Sequence, residues 1–127
     1  MLSNHVVVWL DHVEAHVVHF NPEESENELI KAHSTHPHLH VRAGQAGAGR
    51  APENARYFGD VAEAVKTALE ILIVGPGQEK LELMKYFVKR HPLIAKKVVS
   101  VETVDHPSDG QILAYARKYF IKADRMR

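Results

Sequence analysis

The stretch ILIVGPGQEK, residues 71–80, carries more of the fold than any other. Ile71 to Val74 form a continuous apolar run ending in Gly75-Pro76-Gly77. A run this short and this unbroken reads as a central strand covered on both faces, because an amphipathic element would show polar interruptions. Gly75 and Gly77 mark a tight strand-to-helix turn. The segment is neither GxxxxGK[ST] nor GxGxxG, so a turn is favoured over a nucleotide site. The following helix carries Leu81, Met84, Phe87 and Val88 on one face. It stops at His91-Pro92, where proline disfavours helical geometry in the preceding residue.

Downstream, KVVSVETV (97–104) reads as a second buried strand. HPSDGQ then turns, and Ser108 with Gln111 has the spacing of a capping box. Ile112, Leu113, Ala116, Tyr119 and Phe120 give the last helix an apolar face. Upstream, Asp60 and Glu63 have capping-box spacing too, which predicts a helix from Asp60 with Val61, Ala64, Val65, Ala68 and Leu69 as its stripe. Before it, Thr35 to about Tyr57 has Pro37, Pro52 and three glycines with no sustained apolar period, and reads as a long loop. At the N-terminus HVVVWL (5–10) and AHVVHF (15–20) predict a hairpin closed by DHVE. NPEESEN (21–27) is an acidic turn, and ELIKAHS (28–34) a weaker third strand.

The order is therefore β-β-β, long loop, α-β-α-β-α. This α/β order implies a mixed sheet with helices packed on it, a ribonuclease-H-like arrangement. At 127 residues the chain is expected to be a single domain, residues 1–127, with the flexible loop at about 35–57. We find no internal repeat.

Composition narrows the function classes. There is no cysteine, which removes disulfides, thiolate catalysis and Cys-based zinc sites and leans towards a cytoplasmic setting. The N-terminal apolar run lacks a basic flank and is broken at Asp11, so neither a signal peptide nor a membrane span is expected. Lys plus Arg equals Asp plus Glu at 16 each, so no global field draws the protein to nucleic acid. Charge is uneven, however: residues 21–28 are acidic and the C-terminal RKYFIKADRMR is basic. Ten histidines form two clusters, His5/His12/His16/His19 and His33/His36/His38/His40, apart from His91 and His106.

The second half, ILIVGPGQEKLELM…LIAKKVVSVETVDHPSDGQILAYA, resembles the middle domain of archaeal and eukaryotic class-1 peptide-release factors and Pelota. The matching features are the strand ending in Gly-Pro-Gly at Ile71–Gly77, Glu79-Lys80 at the helix start, the strand Val98–Val104, and Asp109-Gly110 opening the last helix. The hydrophobic hairpin, third strand and long loop of the first half match it too. Stand-alone bacterial proteins of this build, described as translational machinery proteins, are the group the chain is similar to. The resemblance implies a role in translation, with the ribosome or another RNA–protein assembly as partner.

It also implies a meaning for the glycine loop. Release factors carry Gly-Gly-Gln there, within His-x-Arg-x-Gly-Gly-Gln, and the glutamine helps water cleave peptidyl-tRNA. The corresponding residues are His40, Val41, Arg42, Ala43, Gly44 and Gln45. Gln45 is thus the candidate catalytic residue, but alanine replaces one glycine, and only glycine reaches positive φ without strain. Release factors continue into a long helix, which Gly47, Gly49 and Pro52 are expected to forbid here. Pelota lacks the tripeptide and still acts on ribosomes, so the resemblance does not imply hydrolysis. The expected function is ribosome or RNA–protein binding without catalysis.

Phosphate contact is expected from His40, Arg42, Gly44, Gln45, Arg50 and Arg56 around the loop, and from Arg117, Lys118 and Lys122 in the basic tail. His36, His38 and His40 alternate, and in an extended chain they point the same way, so they are candidate ligands for an adventitious divalent metal; no other cofactor is expected. Two rivals follow from the fold class. One is a metal-dependent phosphodiesterase or nuclease using Asp11, Glu102, Asp105 and Asp109. The other is a regulatory module that forms a homo-oligomer through a sheet edge.

Overall fold

The computed structural model describes residues 5–32 and 46–125, with side chains over 5–32 and 55–122. The chain runs β1 (His5–Leu10), β2 (Glu14–Phe20), β3 (Ser25–Lys31), α1 (Ala46–Val65), β4 (Glu70–Gly75), α2 (Glu79–Arg90), α3 (Pro92–Ala95), β5 (Val98–Thr103) and α4 (Asp109–Arg125). The five strands form one sheet in the order β3-β2-β1-β4-β5. β2 is antiparallel to both β1 and β3, while β4 is parallel to β1 and β5. The mixed α/β sheet expected from the element order is present.

Two hairpins start the sheet, and one device closes both. Asp11 Oδ1 accepts from the N–H groups of Val13 and Glu14 at 2.8 and 3.0 Å. Asn21 Oδ1 likewise accepts from Glu23 and Glu24 at 2.9 and 2.7 Å. Short polar side chains thus replace backbone partners at each reversal.

Alternation along the strands divides the core in two. Val6, Val8 and Leu10 of β1, with Ile71 and Ile73 of β4, face Tyr57, Phe58, Val61 and Val65 of α1 and Leu83 and Phe87 of α2. Val7, Trp9, Leu72 and Val74 face the other way, against Ile112, Ala116 and Phe120 of α4. β1 and β4 are apolar on both faces because helices cover both.

Several expectations are corrected. α1 begins at Ala46, so residues 46–57 are helical rather than loop. Asp60 lies in mid-helix rather than at a helix start. Gly47, Gly49 and Pro52 together disfavour a helix by about 5 kcal/mol relative to alanine. Tyr57, Phe58, Val61, Ala62 and Val65 are all buried, and this anchored half propagates the helix towards its start. β3 begins at Ser25, inside the stretch expected to turn, because an edge strand needs little apolar content and only Ile30 within it is buried. The α2 stripe is rotated: Lys80, Leu83 and Phe87 are buried, while Leu81 and Val88 are exposed. Lys80 hid this register. Its stem is buried and its ammonium donates to the Gly77 carbonyl, closing the turn from β4. Leu69 at the end of the α1 stripe is exposed. Pro92 ends α2 as expected and also begins α3.

The Ser108–Gln111 capping box forms as expected: Ser108 N–H donates to Gln111 Oε1 at 2.8 Å and Gln111 N–H to Ser108 Oγ at 3.2 Å. Gly75 has a different reason from the one its turn suggests. Its φ is not positive, but a Cβ there would lie 2.3 Å from the Leu10 carbonyl oxygen. Close approach of β1 to β4 requires a residue without a side chain.

Candidate functional site

Open α/β sheets bind ligands beyond the carboxyl ends of their parallel strands. Here that end holds a polar network built on Trp9 and His16. Trp9, 4% exposed, donates its indole N–H to the Asp105 carbonyl at 2.6 Å, and Val104 O lies 3.3 Å away. His16 meets the indole edge-on at 5.5 Å, and the His106 ring lies 5.0 Å away. His16 Nδ1 sits 2.9 Å from Asp109 Oδ1, and Nε2 sits 2.7 Å from Glu14 Oε2. Asn27 donates to Asp109 Oδ2 at 3.1 Å, and Lys31 is 3.4 Å from Glu14. The hydrogen bond from His16 is the main reason that the Glu14 carboxyl is held below its ordinary range.

This network fastens β2 and β3 to the start of α4. Ser108 Oγ, next to Asp109 in the chain, is engaged as the cap of α4. Sequence reasoning placed Trp9 in the first hairpin strand and His16 in a histidine cluster, without connecting them. The period-2 position of His16, on the same face as Val18 and Phe20, was the available signal.

The carboxylates offered for a nuclease do not converge. Asp11 Oδ1 holds the first hairpin turn. Glu102 accepts from the Tyr115 hydroxyl and, at 3.0 Å, from Ser100 Oγ. That contact pushes the Tyr115 hydroxyl up to about 12. Asp109 faces His16 and Asn27, while Asp105 contributes its backbone carbonyl to Trp9. Among the described residues no three His, Asp or Glu side chains are grouped to hold a metal ion. Beneath Asp11, Tyr57 donates its buried hydroxyl to the Asp11 carbonyl at 2.9 Å, and burial pushes that hydroxyl well above its usual range.

The residues expected to meet phosphate fall in separate places. His36, His38, His40, Arg42, Gly44 and Gln45 lie outside the described residues. Arg50 lies within α1, and Arg56 is exposed on the same helix. Arg117 is turned inward, its Nη2 donating to the Asn21 and Glu24 carbonyls at 3.0 and 3.2 Å, so it pins the second hairpin. Lys118 and Lys122 are exposed one turn apart on α4. The sheet separates α1 from α4, so Arg56 and the two lysines form two basic spots rather than one.

No helix among the described residues is long and apolar enough to cross a membrane. No protein-family model matches the chain, and no curated protein matches its sequence. Solved structures do match in fold. Archaeoglobus fulgidus Pelota aligns with a TM-score of 0.63 at 15% identity, over 90% of this chain and 30% of that one. The archaeal translation termination factor aRF1 aligns at 0.56 with 10% identity, over 83% and 31%. Saccharomyces cerevisiae Dom34, described as a translation termination-like factor involved in RNA quality control, aligns at 0.50 with 12% identity, over 79% and 29%. The chain thus spans about a third of the length of these proteins, and its mixed five-stranded fold resembles a domain of Pelota and of the archaeal release factor.

Proposed function

We propose that the chain is a cytoplasmic, translation-associated factor that docks on the ribosome or another RNA–protein assembly and catalyses nothing itself. The observation carrying this reading is the fold shared with Pelota, aRF1 and Dom34 over most of the chain. The position of α1 adds support. A 20-residue helix follows directly after Gln45, so the stretch His40–Gln45 leads into a long helix as the release-factor motif does. We assign contact with phosphate to Arg42, Arg50 and Arg56, with Lys118 and Lys122 as a second anchor. Gln45 serves contact rather than hydrolysis, because Ala43 stands where a second glycine would free the turn. The scattered carboxylates of the sheet favour binding over metal-assisted cleavage.

The test is a pull-down with the full chain as bait, sequencing the bound RNA and identifying the bound proteins. Ribosomal RNA with ribosomal proteins is the expected catch. Recovery of neither from growing or starved cells contradicts the proposal.

A further inference from the structure

Among the described residues β3 ends the sheet, and its outer edge has a definite pattern. Ala32 donates to the Val13 carbonyl at 2.8 Å, which makes their pairing with β2 the hydrogen-bonded kind. With the register Ala15↔Ile30 and Val17↔Glu28, the bonded positions of β3 are Glu26, Glu28 and Ile30. The N–H and C=O groups of Asn27, Leu29 and Lys31 therefore point away from the sheet, as a template for another strand.

The side chains beside that template are strongly sorted. Glu26 and Glu28 lie on the α1 side and are both exposed. A groove of about 660 Å³ runs there between β3 and α1, lined by Glu28, Ile30 and Glu63 among others, with Glu63 paired to Lys66. A neighbouring hollow of about 560 Å³ extends it past His19 and Glu26. Lys31 alternates to the other side of the strand, where it is drawn towards Glu14 at 3.4 Å. On that same side Leu29 is 51% exposed.

We propose that the outer edge of β3 binds an extended protein segment of alternating basic and apolar residues by strand addition. Basic side chains of the added strand lie beside Glu26 and Glu28. Apolar side chains on its other face cover Leu29. Backbone bonds to Asn27, Leu29 and Lys31 supply the register, and the side chains supply selectivity. A second copy of β3 is a poor occupant, because antiparallel self-pairing sets glutamates against glutamates. The proposal stands apart from the ribosome reading: its ligand is a peptide rather than phosphate, and either can fail alone.

The experiment uses the full chain and a fluorescein-labelled heptapeptide of alternating Arg and Val, with a Glu-Val peptide as control. Anisotropy is expected to report saturable binding of the Arg-Val peptide alone, weakening as salt is added. Amide exchange at Asn27 and Leu29 is expected to slow on binding. The exposed double variant Glu26→Lys/Glu28→Lys should weaken binding roughly tenfold or more. Leu29→Pro removes an outward N–H and spares the ladder to β2, so it should weaken binding while far-UV dichroism is retained. No saturable binding by the wild type, or unchanged exchange at Asn27 and Leu29 in the bound state, overturns the proposal. So does a wild-type dimer in sedimentation that Leu29→Pro dissociates, because the edge would then belong to a second copy.

Discussion

β4 and β3 belong to one sheet with only β2 and β1 between them, and they could hardly differ more. From Ile71 to Gly75 every residue of β4 is buried, whereas within β3 only Ile30 is. β4 is parallel to both neighbours and lies between helices on both faces. Among the described residues β3 has one neighbour, and its outer side is acidic. The comparison teaches that the centre is scaffold, where sequence is dictated by volume, and the edge is surface, where sequence is free to serve recognition.

Substitutions can break or sharpen this contrast. The largest effect is expected at Gly75→Ala, where the new Cβ would meet the Leu10 carbonyl oxygen at 2.3 Å. Backbone must move, so a loss of about 4 kcal/mol is expected in urea denaturation. Ile73→Ala empties a fully buried site in the same strand and should lower stability by about 3 kcal/mol. A smaller effect separates Glu14→Gln from the wild type, and it depends on pH. The folded carboxyl titrates below its ordinary 4.5, so its contribution is present above that value and is lost as pH falls through the folded one. The stability gap between the two proteins should therefore be widest near neutrality and close in acid. Leu29→Ala in β3 should change stability by less than about 0.5 kcal/mol. A loss at Leu29 as large as that at Ile73 would erase the distinction between scaffold and edge.

The same contrast explains what the sequence could reveal. β1, β2 and β4 were legible because apolar runs of strand length have few other readings. β5 was found as a strand, but among the described residues it is the other edge of the sheet and is only partly buried, not the buried strand expected. The Ser108–Gln111 box was legible because both partners are local. β3 was misplaced because Ser25, Glu26 and Asn27 carry turn-like composition, and only the pairing with β2 makes them a strand. The start of α1 was missed because Gly47, Gly49 and Pro52 argue locally for a loop, while the anchoring that overrides them comes from Tyr57 onwards. Lys80 disguised the buried face of α2, since a lysine stem counts as apolar only once its ammonium has found the Gly77 carbonyl.

For the candidate site, legibility was lower still. The Trp9–His16–Asp109 network joins residues about a hundred positions apart, and no spacing announces it. Arg117 looked like a phosphate ligand by composition, yet its guanidinium is turned onto the second hairpin. Of the expected phosphate contacts with described side chains, Arg56 on one face and Lys118 with Lys122 on the other are exposed, and the docking account uses them.

Co-sedimentation of the full chain with ribosomes at low and high salt tests that account most directly. A contact made through Arg and Lys to phosphate predicts pelleting with ribosomes at low salt and release at high salt, weakened by Lys118→Glu/Lys122→Glu without loss of fold. Absence from the ribosomal pellet at low salt, for protein from both growing and starved cells, would contradict it.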